Sequence, residues 1–415
     1  MHRIFAKYLS DPEVGHLCSD GAFLRHMLVT EIALAKVQAI AGLIPQAAAD
    51  EIATALPDED WDLEALSEST LQNGIPVIGL LAQARAKLSE EAREYLHWGA
   101  TSQDITDTAL VLTLKEVLPV FEERLEALLK SLGSLEKGYG TTPTLARTRN
   151  QAAVPIRFSQ KLKAWSAPLQ ALQGDLRRTA QNALVVQLAG AGGDLAGLGE
   201  HGERTARMLA EVLGLRYEGG WHNQRYRLTA LADVLASLAV ALGKLGSDVL
   251  LMAQNEVGEV AEGSPGGSSS MPHKNNPVLS EALVALAEYA VGQAALVKRA
   301  GLHRAERDGS ALALEWLVWP QLLTAMGGSL AQGQRLLSGL QVFPERMKAN
   351  LAASGGLAYS ERAVYVLAAH MPPSEAKILV AEACEAAGYE GITLVEALQR
   401  RTPELDIDWE QILSE

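Results

Sequence analysis

The stretch Gly266-Gly267-Ser268-Ser269-Ser270-Met271-Pro272-His273-Lys274-Asn275-Asn276-Pro277 decides how the rest of the chain is read. It is poor in helix formers, and its glycines and serines offer a strip of exposed backbone N–H donors. Lys274 adds a fixed positive charge. Asn276-Pro277 predicts the start of a helix: Asn is a favoured N-cap, and Pro is tolerated at the first helical position, where its missing N–H would be unpaired anyway. The stretch therefore reads as a loop pinned at a helix N-terminus, a place that favours anions.

Outward from this loop the sequence turns helical. Long, mostly uninterrupted patterns run over 104–136, 155–188, 228–260 and 277–300. In the third, Leu231, Val234, Leu235, Leu238, Leu242, Leu245, Val249 and Met252 share one face. At ~1.5 Å per residue such a helix extends about 50 Å, and several of them bury their stripes only as a long bundle. The apolar residues left over suit contacts with further copies, so a homo-oligomer is expected. Shorter helices with frequent breaks precede residue 100, as at Gly42, Pro45 and Gly74, and follow Pro344, as at Gly355-Gly356 and Pro372-Pro373. The expected fold is all-α in three parts: an N-terminal domain over 1–100, a central long-helix domain over 101–345 and a small C-terminal domain over 346–415. Leu184 to Gly193 looks like a strand entering a nucleotide-binding glycine turn, but its flanks are helical and no second strand follows. It reads better as a glycine loop ending a long helix.

Composition sets limits. The 415 residues are 48% hydrophobic and 21% charged, ordinary for a globular protein, while aromatics at 5% are sparse and leave Ala and Leu to pack helix on helix. A formal net charge of −14 argues against nucleic acid or an anionic membrane as partner. It also sets a condition: an acidic ligand must be met by Arg, Lys or His concentrated locally. Cys18 and Cys384 lie far apart with no metal spacing and read as free buried thiols of a reducing compartment. The N-terminal stretch Met1 to Tyr8 has no signal-peptide core, and no apolar run approaches the ~18 residues of a bilayer span, so a cytoplasmic location is expected.

Four polar stretches interrupt the helices. His97-Trp98-Gly99-Ala100-Thr101-Ser102-Gln103-Asp104 is either an ordinary helix N-cap cluster or a set of hydroxyls that holds a carboxylate, with His97 as a nearby cation or proton donor. Arg147-Thr148-Arg149-Asn150-Gln151 places two arginines on one side of an extended segment, which suits a polyanion as well as a solvated surface. Trp221-His222-Asn223-Gln224-Arg225 is a dense polar run ahead of the pattern at 228. The fourth is the opening loop, supported by His303, Arg304 and Arg307 further along. No His/Cys/Asp/Glu set has metal-ligand spacing, so no metal is implied.

Gly267-Ser268-Ser269-Ser270-Met271-Pro272-His273-Lys274-Asn275-Asn276 resembles the GSSxMPxKxN signature of the fumarase/aspartase superfamily, and the likeness covers nearly the whole chain. Within it, His97 to Asp104 with Asp107-Thr108, Trp221 to Arg225, and Ile75-Pro76-Val77-Ile78 look most like the bacterial carboxymuconate cycloisomerases. The resemblance implies an all-helical three-domain subunit, a homotetramer whose active sites are shared between subunits, and no cofactor. It implies reversible lactonisation of a small tricarboxylate in the protocatechuate branch of the β-ketoadipate pathway. Another lyase of the superfamily, such as adenylosuccinate lyase, is the alternative; a catalytically silent binding protein is a third reading, opposed by the intact Ser268, Lys274 and Asn276. The residues implied for the chemistry are Ser268, Lys274, Asn276 and His97. Those implied for holding substrate are Thr101, Ser102, Gln103, Arg147, Arg149, Gln151, His222, Arg225, Ser269 and Met271.

Elementary chemistry agrees with that proposal. Proton exchange at a carbon α to a carboxylate passes through a dianionic aci-carboxylate, so stabilising that charge is the main task. Lys274, Asn276 and the backbone N–H groups around Gly267–Ser269 supply it. A serine becomes an acid or base only when its oxyanion is held by N–H donors and a cation; Ser268 is the candidate and Ser269 its rival. One departure stands out. Where many superfamily lyases carry the histidine of THxQ, and cycloisomerases usually an aromatic residue, this chain reads Thr148-Arg149-Asn150-Gln151. Arginine does not give up its proton, which a carboxylate leaving group tolerates and an amine leaving group does not.

Overall fold

In the computed structural model, residues 3–57 and 60–413 are described; Met1 and His2 of the N-terminal stretch lie outside them. The chain is all-α in character, and six of its helices exceed 20 residues: α1 (Asp20–Ile40), α2 (Ser102–Tyr139), α3 (Phe158–Ala183), α4 (Tyr226–Met252), α5 (Val278–Ala300) and α6 (Gly309–Gly339). The four long patterns of the sequence correspond to α2 through α5. The largest difference is the end of α4, which stops at Met252 because the chain turns back there. Gly258 adopts φ +59°, and the Glu259 N–H returns to the Met252 carbonyl at 2.9 Å. The sequence reading misses α6, where Pro320 and Gly327-Gly328 dilute the periodicity. Those glycines have a packing reason: a Cβ at Gly327 would lie 2.8 Å from Val14 Cγ2, and one at Gly328 would lie 2.9 Å from the Leu9 carbonyl oxygen. The N-terminal segment lies directly against α6.

The described structure divides into two units. The first comprises Met1–Leu128, Pro168–Lys244 and Ala282–Gln334, and the second Leu129–Ala167, Leu245–Glu281 and Arg335–Glu415. The sequence segments 1–100 and 346–415 fall wholly within the first and second units, and 101–345 is divided between them, with every cut inside a long helix.

In the first unit, α1 packs with the helices Gln46–Ala55, Leu63–Asn73 and Val77–Ala86 around Leu24, Met27, Ile52, Leu56, Leu80 and Ile105. Its other side, through Ala33, Leu34 and Val37, joins Val186, Leu188 and Leu209. A helix buried on two sides carries apolar residues around most of its circumference, and α1 does. Leu231, Leu235, Leu238 and Leu242 of α4 are fully buried.

Contrary to the sequence expectation, α4 and α5 are each long and apolar enough to cross a bilayer, with mean hydropathy of 1.7 and 1.2 over their most apolar windows. Those windows are 56% and 44% buried within the chain, the pattern of core helices with one face left over.

In the second unit, β1 (Pro143–Thr148) and β2 (Gln151–Arg157) pair antiparallel, with a register shift between Leu145 and Arg147. The two-residue turn is Arg149-Asn150, at φ +53° and +64°; two left-handed residues match the twist of the strands. β3 (Val260–Ala261) pairs with β4 (Gln341–Val342). The C-terminal helices Ser360–Leu367, Pro373–Glu390 and Leu394–Arg401 bury Trp409, and the last of them starts at a capping box, Thr393 with Glu396.

Candidate active site

The signature loop, in the second unit, is tied at its neck. Gly266 and Asn276 exchange two backbone hydrogen bonds of 2.8 Å each, closing residues 267–275 into a loop. Asn276 Nδ2 adds a third, to the Gly267 carbonyl at 3.1 Å. A Cβ at Gly266 would fall 2.4 Å from Val278 Cγ1, so the neck requires glycine.

Asn276 is not the side-chain cap expected for α5. That place belongs to Glu262, which is buried and whose carboxylate accepts from Leu279 N at 3.1 Å, Ser280 N at 2.8 Å and Ser280 Oγ at 2.7 Å. The chain itself supplies the anion that this helix N-terminus favours, and Asn276 is left to hold the neck. Glu262→Gln replaces one accepting oxygen by a donor facing donors. The expected cost is about 1–2 kcal/mol, seen as a lower unfolding midpoint and faster proteolytic cleavage within 263–277; unchanged cleavage would mean that the cap does not support the loop.

Within the loop, Ser268 Oγ accepts N–H groups from Met271 at 3.1 Å and Ser270 at 3.4 Å, whereas Ser269 makes no side-chain hydrogen bond. The Lys274 ammonium is exposed and has no ion-pair partner among the described residues. Met271, His273, Lys274 and Asn276 line a groove of about 1160 Å³ that also reaches Asn255 and Glu262.

The hairpin residues of the same unit divide. Arg147 is already engaged: Nη1 and Nη2 lie 3.0 and 2.8 Å from the two carboxylate oxygens of Glu259, which is fully buried and also takes Asn350 Nδ2 at 2.9 Å. Arg147 thus ties the hairpin to the segment after α4. Arg149 is exposed at the tip with no side-chain partner among the described residues, and Gln151 opens β2, also exposed.

The first unit holds the other expected residues around the N-terminus of α2. Asp104 is buried and accepts four N–H groups: Thr101 N at 3.0 Å, Gln187 Nε2 at 3.0 Å, Ala189 N at 2.9 Å and Gly190 N at 3.0 Å. Burial pushes its carboxyl up to about 6, with these donors pulling the other way, so it is ionised at neutral pH. The bond to Thr101 is the return half of a capping box. The Thr101 hydroxyl is turned elsewhere, accepting Arg307 Nη1 at 3.0 Å. Arg307 also donates through Nε to Gln103 Oε1 at 2.9 Å and through Nη2 to the Gly190 carbonyl at 3.3 Å. Ser102 opens α2, half-buried, with no side-chain hydrogen bond. The glycine-rich run is a loop, as expected, and it is bound at Gly190 from both sides.

Gln103 is spent inside the fold: Nε2 donates to Asp107 Oδ2 at 3.0 Å and to the His222 carbonyl at 2.7 Å. Arg225 is spent more completely. Its side chain is 0% exposed, with Nη1 and Nη2 at 2.6 and 2.9 Å from Asp107, Nε at 2.9 Å from Glu315, and a further bond from Nη2 to Glu315. Arg225 thereby holds the two buried carboxylates of Asp107 and Glu315 together. His222 is not spent in this way. It is buried, neither ring nitrogen has a partner among the described residues, and a Cβ at Gly193 would meet its Cε1 at 2.4 Å. Burial, then the Arg307 charge, lower its pKa and favour the neutral ring. His97 stands at φ +66°, its Nδ1 2.6 Å from the buried Glu31.

The expected residues thus fall into two groups, one in each unit. Sequence reasoning misses Glu31, Gln187, Glu259, Glu262 and Glu315, and notes Asp107 and Arg307 only in passing. A signal exists for several: Glu31 within Leu28 to Leu34 and Glu315 within Ala311 to Leu317 are single acids inside apolar helical runs, which persist only with a buried partner. Among the described residues no group of three His, Cys, Asp or Glu is placed to hold a metal ion.

The family model described as lyase matches residues 13–292. A 3-carboxy-cis,cis-muconate cycloisomerase of Bradyrhizobium diazoefficiens is 37% identical over 402 residues, covering 95% of this chain and 89% of that protein. A nitrosuccinate lyase of Streptomyces davaonensis is 36% identical over 397 residues, covering 92% and 83%. The solved structure of the 3-carboxy-cis,cis-muconate lactonizing enzyme from Pseudomonas putida matches with a TM-score of 0.93 at 34% identity, covering 99% of this chain and 94% of that one.

Proposed function

Because the chain belongs to the lyase family of fumarase and aspartase, we propose that it interconverts 3-carboxy-cis,cis-muconate and 4-carboxymuconolactone. The observation that carries this reading is the state of Ser268, whose hydroxyl oxygen accepts two backbone N–H groups in a loop that also bears Lys274. Those are the donors a serine oxyanion needs.

In the lactonising direction a substrate carboxylate oxygen forms a bond to one end of a double bond. The electron pair moves into the neighbouring carboxyl group as an aci-carboxylate, and Ser268 delivers a proton to the carbon α to it. In reverse, the Ser268 oxyanion removes that proton, and the ring C–O bond breaks with the carboxylate as leaving group. Nothing is oxidised or reduced, so the step needs no redox cofactor. Lys274 and the loop N–H groups face the charge that develops, and Asn276 holds the loop in register. Arg149 at the hairpin tip, Thr101 beside Arg307, and His97 and His222 provide the local positive and donor groups that an acidic chain must gather for a tricarboxylate. Arginine at position 149 suits this chemistry, because a departing carboxylate needs no proton.

The complete site, in this reading, forms where copies of the chain meet in a homotetramer. Exposed Val240 on α4 and Tyr289, Val291 and Leu296 on α5 support such contacts. The cytoplasm is the proposed location.

The test is to follow the ultraviolet absorbance of carboxymuconate on adding the protein. Loss of the conjugated diene signal is the expected result. No change, alongside turnover of adenylosuccinate or nitrosuccinate, would replace this reading by that of another lyase.

A further inference from the structure

Glu31 belongs to none of the stretches that carry the proposed chemistry, yet His97 depends on it. It lies on α1, inside an apolar run, and is 2% exposed. Its Oε1 is 2.6 Å from His97 Nδ1, and its Oε2 has no partner among the described residues. A buried carboxylate with a single partner is tolerated when that partner brings the opposite charge. Further along the same helix, Gln38 Nε2 donates to the Trp98 carbonyl at 2.6 Å, fixing the backbone just beyond His97. A left-handed conformation such as that of His97 costs a residue with a side chain roughly 1 kcal/mol or more, and it persists where the surroundings over-determine it. Two grips from α1 do so here. With Nδ1 committed, the ring has only Nε2 left, and that atom has no partner among the described residues.

We propose that Glu31 is a positioning residue that keeps His97 as an imidazolium, with Nε2–H as the donor offered to a substrate carboxylate. The proposal rests on the carboxylate-substrate reading above and adds to it the source of one positive charge. The charged groups that face His97 are Glu31 on α1, Asp104 on α2 and Arg85 on the helix Val77–Ala86. Burial alone lowers the ring's pKa; Glu31 and then Asp104 outweigh burial and Arg85 and hold it above the ordinary value. His97 is therefore charged below that raised pKa and loses its charge as pH rises through it, and substrate affinity falls in the same direction.

The test begins with the unaltered protein, its nine histidines labelled at ring C2. The His97 signal, identified by its absence in His97→Gln, is expected to titrate above the free value of about 6.5. A midpoint at or below that value, read on the unaltered protein, overturns the proposal. Glu31→Gln is then expected to lower the proton affinity of His97 at least tenfold and to move the rise of KM with pH to lower pH, with partial recovery in Glu31→Asp. If Glu31→Gln lowers only the unfolding temperature and leaves the KM profile in place, the residue is merely structural and the proposal fails. Ring titration needs no substrate, so this result is separable from the fate of the assigned reaction.

Discussion

Ser268→Ala is expected to lower kcat by about 10³-fold or more, the scale of a lost general acid–base group in a preorganised site. Thermal unfolding and helix content should not change. The two halves of that expectation come from different atoms. The rate depends on Oγ, which alone can carry the proton and which the Met271 and Ser270 N–H groups hold at 3.1 and 3.4 Å. The fold depends on neither, because the neck bonds between Gly266 and Asn276 and the Glu262 cap lie outside the residues that alanine would disturb. Ser269→Ala should cost far less, since that side chain makes no hydrogen bond. Steady-state turnover of carboxymuconate for the two variants, with circular dichroism on the same samples, checks both. If the Ser269 variant is the inactive one, the roles exchange.

Arg225→Ala is expected to act on stability first. Removing the guanidinium leaves Asp107 and Glu315 as buried carboxylates without a counter-charge, a change that costs about 3–5 kcal/mol. The denaturant midpoint should fall accordingly. Activity should fall too, because Asp107 also holds the amide of Gln103, and Gln103 holds Arg307. A pH series distinguishes this cause from a simple cavity. Burial already raises the pKa of Glu315, and Arg225 is the group that pulls it back down. Without Arg225 its folded-state pKa stays above the unfolded one, so the protonated form stabilises the fold below the unfolded value. That contribution is lost as pH rises through the folded pKa. The deficit of the variant should therefore be smallest in acid and grow toward neutral pH; a deficit that does not vary with pH would assign the loss to packing.

These two residues also show how far the sequence can be read. Ser268 is legible because its neighbours are chosen for backbone exposure and charge rather than for packing, and a long signature marks them. Arg225 is visible as a polar residue in a polar run, but its partners are 118 and 90 residues away in the chain. Spacing along one helix carries no trace of such a pairing, so a buried strut and a substrate contact look alike. The partner of Arg147, Glu259, is likewise distant in the chain, 112 residues away. The long helices are legible wherever one apolar stripe faces one core. α1, buried on two sides, has less of a stripe to find, and the glycines of α6 answer to a segment more than 300 residues away, Leu9 to Val14. Glu262 is missed because Asn-Pro satisfies the local rule for a helix start while a distant carboxylate meets the same donors better.

The tie between Gly266 and Asn276 has a kinetic meaning beyond the shape of the loop. A segment closed by its own backbone pair can open and shut as a small cooperative unit, without drawing on the free energy of the helices behind it. In the proposed reaction, opening of residues 267–275 is then one step of substrate entry and product escape, beside the groups outside the loop. Substitutions there would tune how long a bound molecule stays, and the helical framework would not register them.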